Sequence, residues 1–175
     1  MSMPTFVRDP IPIELQQLID RRRRLGLDRF DEVWEGVLHM NPVPAGRHGN
    51  IVMQLGHLLS ERAKRGRLTL VGEFNIGDDL HDFRAPDGGL LRDFTSQVFY
   101  PTAALVIEVV SPGDDSWNKL GFYANRGVDE VVIVDPDTHT VHWLARAGDS
   151  SYEPVESSAV IELGPAELAA AIDWP

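Results

Sequence analysis

The sequence contains no cysteine among its 175 residues. This absence excludes a disulfide framework, a zinc–thiolate centre and a thiol nucleophile. Basic residues are also scarce, because 16 lysines and arginines face 27 aspartates and glutamates and the formal net charge is −11. This charge excludes a simple nucleic-acid binder that attaches to phosphate through a broad basic surface. It is compatible with a nucleic-acid enzyme that meets phosphate through a bound metal ion.

No apolar run approaches the length of a membrane span. The longest runs, such as Ala103–Val110, fall far short of the roughly 18 residues required. The N-terminal residues carry proline and acid where a signal peptide needs an apolar stretch. The hydrophobic share of 43% and the charged share of 25% are typical of one globular core. We therefore expect a cytoplasmic protein without membrane association, with a single domain over residues 1–175 and an irregular arm over about residues 1–11.

Hydrophobic periodicity alternates between helical and extended patterns along the chain. Predicted helices are Pro12–Leu25, His48–Arg65, a segment that starts near residues 114–116 and ends at Asn125, and Pro165–Ile172. Predicted strands are Phe30–Met40, Leu68–Ile76, Thr102–Val110, Glu130–Val134, Thr138–Ala145 and Val160–Leu163, with a short extended segment at His81–Pro86. The order of these elements predicts an α/β fold in which helices flank a mixed central β-sheet.

Glu108 is anomalous because it lies inside the apolar run Leu105–Val110. An ionised carboxylate in such a strand is costly unless it is paired or coordinates a metal. A salt-bridged position at a sheet edge or strand end is the structural alternative. Asp87, Glu35 and Lys119 are the charged residues that could accompany it. Carboxylates that converge with one lysine can hold a hard divalent cation and serve a water nucleophile.

These residues resemble, in order and approximate spacing, the putative restriction endonuclease-like family of the PD-(D/E)XK nuclease superfamily. The segments that carry the resemblance are Pro86–Asp87, Leu105–Pro112, Lys119 with Tyr123, Gly127–Asp135, and upstream Glu35–Gly36 and His48. The resemblance covers roughly residues 13–144 and implies a restriction-endonuclease-like fold.

The chain departs from the superfamily pattern at two points. The pattern places a lysine two residues after the glutamate, where this chain has Val110. In the family the lysine comes from the following helix, which here indicates Lys119. Gly88 and Gly89 follow Asp87 where an apolar strand would be usual, so we expect a loosened backbone beside the carboxylate.

The resemblance implies a metal-dependent endonuclease that hydrolyses phosphodiester bonds in DNA. Asp87 and Glu108, with the backbone carbonyl of Val109, would bind Mg²⁺, for which Mn²⁺ could substitute. Lys119 would orient the attacking water or neutralise developing charge. Glu35 would bind a second metal or orient a metal-bound water.

Substrate contacts would come from a local basic patch. His48 and the neighbouring Arg47, at the start of the long predicted helix, are candidates for phosphate contact. For His48 the alternative is a helix cap or a surface residue. The run Arg21–Arg24 is a further candidate, although four arginines on one helix are usually a solvated face.

Two classes of function stay open at this stage. The first is the DNA endonuclease, and the second is a catalytically silent nuclease-fold module that binds or assembles with an unknown protein partner. Ser111 does not indicate a serine hydrolase, because no G-x-S-x-G motif surrounds it and no His/Asp pair is apparent. A hairpin near residues 130–145 that exposes Trp143 would favour a two-fold homodimer.

Overall fold

The computed structural model describes residues 5–8, 10–111, 113, 115–148 and 150–175. Pro112, which belongs to the resemblance above, and Asp114, a candidate helix cap, lie outside the described residues. The helices are α1 (Ile13–Arg24), α2 (Gly46–Arg65), α3 (Leu120–Asn125) and α4 (Pro165–Ala171), with a 3₁₀ turn at Ser116–Lys119. The strands are β1 (Thr5–Val7), β2 (Glu32–Trp34), β3 (Val37–Met40), β4 (Thr69–Val71), β5 (Asn75–Gly77), β6 (Phe83–Arg84), β7 (Gly88–Leu91), β8 (Phe99–Tyr100), β9 (Leu105–Val109), β10 (Glu130–Asp135), β11 (Thr140–Arg146) and β12 (Tyr152–Pro154).

These strands form two six-stranded sheets. The central sheet has the order β12-β11-β10-β9-β7-β4, and the N-terminal sheet has the order β1-β3-β2-β6-β5-β8. Each sheet is mixed, because β9 and β10 are parallel in the first, β5 and β8 are parallel in the second, and the remaining pairs are antiparallel. The predicted α/β fold with a mixed central sheet is confirmed, and the N-terminal sheet is an addition that the prediction lacked.

Both faces of the central sheet are covered. On one face, Ile107 and Val132 pack with Leu55 of α2 and Leu168 of α4. On the other face, central-sheet residues pack with Tyr123 of α3 and with Ile76 and Tyr100 of the N-terminal sheet. The whole of β9 is therefore buried, as its near-continuous apolar sequence predicts.

The predicted strand Phe30–Met40 is a hairpin instead. Glu35 and Gly36 occupy its tip with φ angles of 49° and 80°, as the two central residues of a type I′ turn do. Trp34 pairs with Val37 across this turn. The reversal places Glu35 at an exposed tip rather than in the middle of a strand.

Three further segments differ from their predicted form. Residues 5–7 of the expected irregular arm form β1, which pairs with β3. The predicted strand Leu68–Ile76 divides between β4 and β5, which belong to different sheets. Residues 160–163 are not a strand, because side chains of Glu130 and Ser158 accept the backbone N–H groups of Val160 and Ile161, and the carbonyl of Ser158 accepts that of Glu162.

Trp143 is buried, contrary to the prediction that it is exposed. Only 1% of its surface is accessible, and its indole N–H donates to Oε2 of Glu130 at 2.8 Å. Trp143 therefore cannot provide the exposed surface that was predicted for a homodimer. The homodimer itself stays a prediction. The single domain also stays a prediction. Within the described part of the chain, no helix has the length and apolar character to span a membrane.

Gly88 and Gly89 belong to the buried strand β7, so they do not loosen the backbone. A Cβ on Gly89 would lie 2.6 Å from the carbonyl oxygen of Leu105 and 2.9 Å from the ring of Phe74. Glycine is therefore required for close packing between β7 and its neighbours.

We expect Gly89→Ala to lower the free energy of unfolding by about 1–3 kcal/mol, because the added methyl overpacks the sheet. Urea unfolding at neutral pH measures this change. Gly56→Ala in α2 is the matched control, since nothing lies within 4 Å of its Cβ position, and it should leave stability unchanged or raise it by up to about 1 kcal/mol. Equal stability of the two variants would contradict the packing argument.

Candidate active site

Asp87 and Glu108 are brought together by the pairing of β7 with β9. Gly88 lies opposite Ile107 in this antiparallel pair, so the residue before Gly88 lies beside the residue after Ile107. Glu108 shares a face of the sheet with Val106, which packs against α3. The two carboxylates that the sequence singled out therefore meet at one end of the central sheet.

Glu108 is almost fully buried and has two partners from the chain that follows β9. The hydroxyl of Tyr123 donates to Oε1 at 2.5 Å, and Nζ of Lys119 lies 3.1 Å from each carboxylate oxygen. Burial raises the pKa of Glu108 to about 8, and the negative charges of Asp87 and Glu32 act in the same direction against the opposing effect of Lys119. Burial also raises the pKa of Tyr123, which keeps its hydroxyl as a donor.

Lys119 bridges two buried carboxylates. Its Nζ lies 2.9 Å from Oε1 of Glu32 in addition to its contact with Glu108. Burial alone would lower the pKa of Lys119, but the charges of Glu108 and Glu32 outweigh burial and raise it above its usual range. Lys119 is therefore an ammonium ion throughout the physiological pH range.

Glu32, rather than Glu35, is the third acid at this site. It is 1% exposed and accepts hydrogen bonds from the backbone N–H of Ala85 at 2.8 Å and from the indole of Trp34 at 2.7 Å. Glu35 lies at the exposed hairpin tip and does not line the cavity described below. The signal in the sequence was the Glu35–Gly36 dipeptide, which favours a two-residue turn and would have placed Glu32 in the strand before it.

His48 connects Asp87 to Ser111. Its Nε2 lies 2.8 Å from Oδ1 of Asp87, and its Nδ1 lies 3.1 Å from Oγ of Ser111. The other oxygen of Asp87 accepts the backbone N–H of Val109 at 2.7 Å. The expectation that no His/Asp pair accompanies Ser111 is wrong, since residues 48 and 87 are too far apart in sequence to reveal their contact. Both oxygens of Asp87 are thus held in fixed directions.

Arg47 points to a different part of the molecule. Its guanidinium donates to Oδ1 of Asp137 at 2.7 Å and to the carbonyl of Pro136, both in the turn between β10 and β11. It does not line the cavity that the carboxylates share. Arg47 ties the start of α2 to this turn, whereas its neighbour His48 belongs to the site.

A cavity of about 310 Å³ opens above these groups. Its polar lining comprises Glu32, His39, Asn41, His48, Asp87, Glu108, Ser111, Asp115, Ser116 and Lys119. Its other lining residues are largely apolar and come from Phe30, Trp34 and the loop between β3 and α2. This size lies at the lower end of the usual range for ligand pockets, about 300–1,000 Å³.

The side chains at the site offer the oxygen ligands that a hard divalent cation prefers. Three carboxylates face one ammonium group, so the cluster carries excess negative charge. In the described residues no group of three or more histidine or acidic side chains is arranged to hold a metal ion. Mg²⁺ does not require such a group, because it usually takes one or two carboxylates and keeps several waters. Asp87 and Glu108 each retain lone pairs beyond those that their protein donors occupy.

The fold and the site define a protein of the restriction-endonuclease-like class. A crystal structure of a "putative nuclease belonging to DUF820" from Anabaena variabilis ATCC 29413 superposes with a TM-score of 0.62 at 17% sequence identity, over 81% of this chain and 90% of that chain. At this identity the likeness concerns the fold. Residues 16–171 match the model of the Uma2 family, described as "Putative restriction endonuclease", and the chain belongs to this family. Among curated proteins, none matches the chain.

The raised pKa of Glu108 predicts how the metal-free protein responds to pH. The folded state keeps a proton that the unfolded state releases above the ordinary pKa of 4.5. Glu108 therefore contributes stability at low pH that is lost as pH rises toward about 8. In EDTA, we expect the free energy of unfolding to fall by roughly 1 kcal/mol per pH unit between about pH 5 and 8 through this group.

Glu108→Gln has no titratable group at this position. Urea unfolding of this variant in EDTA over the same pH range should therefore show a free energy of unfolding that depends less steeply on pH. The informative quantity is the difference between the two slopes, since groups that do not interact with Glu108 titrate equally in both proteins. Identical slopes would show that Glu108 does not carry the proton.

Proposed function

We propose that this protein is a metal-dependent endonuclease that hydrolyses phosphodiester bonds in DNA. The observation that carries the proposal is the joint position of Asp87, Glu108 and the buried ammonium of Lys119 on one cavity. Membership of a family described as "Putative restriction endonuclease" supports nuclease-like chemistry. A cytoplasmic location and action on DNA in particular are part of the proposal.

Asp87 and Glu108 would hold Mg²⁺, or Mn²⁺ in its place, with the carbonyl of Val109 as a further ligand. When bound, such an ion lowers the pKa of a coordinated water and stabilises charge on phosphoryl oxygens. Asp87 is suited to this position because His48 and the amide of Val109 fix the directions of its two oxygens. Tyr123 orients the carboxylate of Glu108 in the same way.

Lys119 would act as a hydrogen-bond donor and a fixed positive charge. Because its pKa is raised, it cannot accept a proton from water and does not serve as a general base. An ammonium held in a buried position stabilises developing negative charge without reorganising at the moment of reaction. Glu32 contacts Lys119 at 2.9 Å in addition to Glu108 and so helps to position this charge.

The second candidate is a nuclease-fold module that binds or assembles with a protein partner and lacks turnover. The observation that favours it is the net charge of −11, which opposes the approach of DNA. A two-fold homodimer is compatible with either candidate. The two experiments below separate them.

The first experiment is a plasmid-nicking assay with Mg²⁺, Mn²⁺, Ca²⁺ and EDTA. We expect cleavage with Mg²⁺ and Mn²⁺, little with Ca²⁺ and none with EDTA. Lys119→Met should bind metal yet lose at least about 100-fold in rate, because its contribution belongs to the transition state.

Glu32→Gln and Glu35→Gln form a matched pair in this assay, since both remove one carboxylate charge from the same hairpin. We expect Glu32→Gln to reduce cleavage strongly and Glu35→Gln to leave it unchanged. Full activity in EDTA or in Lys119→Met would reject the mechanism, and activity lost equally in both glutamine variants would reject the assignment of Glu32.

The second experiment measures the melting temperature with and without Mn²⁺. A cation that binds only the folded state at 100 times its Kd should raise Tm by roughly 5–10 °C. Asp87→Ala and Glu108→Ala should abolish this rise. Asp137→Asn is the matched control, because it removes an exposed carboxylate outside the cavity. Absence of a metal response in the wild-type protein would favour the module without turnover.

A further inference from the structure

A second cavity lies next to the active-site cavity. It has a volume of about 390 Å³ and is lined by Arg21 and Arg22 of α1, together with Leu18, Leu25 and Leu27. Asn41 and Pro42 line both cavities, so only the start of the loop between β3 and α2 separates them. The two cavities therefore lie on either side of one rim, at the start of this loop, which we call the lip.

The charges of the two cavities are opposite. The active-site cavity is acidic, because Lys119 is its only lysine or arginine in the described residues and faces several carboxylates. The second cavity offers two arginines. Arg22 is committed to Asp31 at 2.7 Å and to the carbonyl of Leu27, whereas Arg21 is exposed and forms no ion pair within the described part of the chain. Arg21 is thus available to bind an anionic group of a ligand that extends from the active-site cavity across the lip.

Beyond Asn41, the residues on the active-site side of the lip are apolar. Phe30, Pro42, Val43 and Pro44 form one wall of the active-site cavity, and Val43 is 71% exposed. Trp34 also lines this cavity, but His39 stacks on its ring and the guanidinium of Arg84 lies 4.4 Å from the ring centre. The guanidinium of Arg29 lies 5.7 Å from the ring centre of Phe30, farther than Arg84 lies from Trp34. Phe30 and the loop are therefore the less covered apolar surfaces of this cavity.

An unpaired nucleotide fits this arrangement better than a regular duplex does. In a duplex the faces of the bases are stacked inside, and the protein meets phosphates, sugars and base edges, so an apolar lip beside an acidic cavity finds no base face to stack on. Glu108 is 2% exposed at the floor of the cavity, so the scissile phosphate must enter the cavity rather than pass across its mouth. A flexible strand can enter, and a base without a partner can stack on an apolar or aromatic wall.

We propose that the substrate is single-stranded DNA, with one base against Phe30 and the Pro42–Pro44 loop and a neighbouring phosphate against Arg21. This inference rests on the proposed function and names its substrate class. The strand then crosses the lip from the basic cavity to the acidic one.

Fluorescence anisotropy tests the inference with a labelled single-stranded oligonucleotide and its duplex, both in Ca²⁺, and cleavage of the same DNAs is followed in Mg²⁺. We expect the single strand to bind about tenfold more tightly than the duplex, since stacking on the apolar wall is available to it alone. Phe30→Ala should remove about tenfold in affinity for the single strand. Phe94→Ala is the matched control, because Phe94 is 60% exposed and lines neither cavity.

Val43→Glu provides a second variant whose exposed position avoids a folding defect, and it should also weaken single-strand binding. Arg21→Gln should reduce the slope of log affinity against log salt by about 0.7, the value for one phosphate contact on a single strand. Arg65→Gln is its control, because Arg65 is the last residue of α2 and lies far from the lip. At a rise of 1.5 Å per residue, it is about 28 Å from the start of this helix. A structural defect would not change the salt slope in this way.

The outcomes distinguish this inference from the proposed function. Equal or tighter binding of the duplex, or unchanged single-strand affinity in both Phe30→Ala and Val43→Glu, would overturn the inference. If duplex is nevertheless cleaved, the nuclease assignment stands. If the protein binds single strands selectively but cleaves no DNA with any metal, the proposed nuclease activity is rejected and the inferred single-strand binding site is retained. Tighter binding of single-stranded RNA than of DNA would overturn the choice of DNA.

Discussion

The contact of Lys119 with Glu32 and Glu108 joins the two sheets of the molecule. Glu32 belongs to β2 of the N-terminal sheet, Glu108 belongs to β9 of the central sheet, and Lys119 ends the 3₁₀ turn between β9 and α3. Each of these groups is costly to bury alone, and the ion pairs of Lys119 with the two carboxylates offset part of this cost. The charged cluster therefore fixes the relative position of three elements at the place where the cavity forms. Removal of Lys119 leaves two buried acids without their cation, whereas removal of either glutamate still leaves Lys119 paired with the other.

A second buried glutamate shows how a structural carboxylate differs from one at a candidate site. Glu130 is as deeply buried as Glu108 and also lies in a central-sheet strand. It accepts hydrogen bonds from Trp143, Ser158 and the backbone N–H groups of Ala159 and Val160, and it needs no cation. Glu108 instead faces a cavity, beside other acids. A glutamate inside an apolar strand thus has two explanations, and this chain contains both.

The sequence predicted the parts of the fold that depend on local pattern. The helix α2, the buried strand β9 and the hairpin of β10 with β11 follow from periodicity and turn residues, which act over a few neighbouring positions. Glu108 was recognised because a charge in an apolar run is visible locally. The pairing of β5 with β8 and the division of strands between two sheets depend on contacts between distant segments, and a single sequence does not display them.

The candidate site shows the same difference between features with a local sequence signal and contacts between distant segments. Asp87, Glu108 and Lys119 were identified from local motifs and from the family resemblance. The predicted strand and the family resemblance both indicate Glu35, whereas the structure places Glu32, three residues earlier, at the cavity and Glu35 at the exposed hairpin tip. The contact between His48 and Asp87 spans 39 positions and had no local signal. Residue types were thus predictable, whereas their assignment to one cavity required the topology.

Asp87 and Glu108 lie side by side in different electrostatic surroundings. Glu108 faces an ammonium and a phenol, and its proton affinity is raised by burial. Asp87 faces an imidazole and a backbone amide and is the more exposed of the two. Neighbouring carboxylates in unlike surroundings are how an active site separates the roles of its acids. In the proposed function, Asp87 would supply the negative charge that a cation at the cavity meets first, while Glu108 would keep Lys119 in place and share its charge between that ammonium and the cation. The division follows from the chain order of the two strands, because only β9 continues into the segment that carries Lys119.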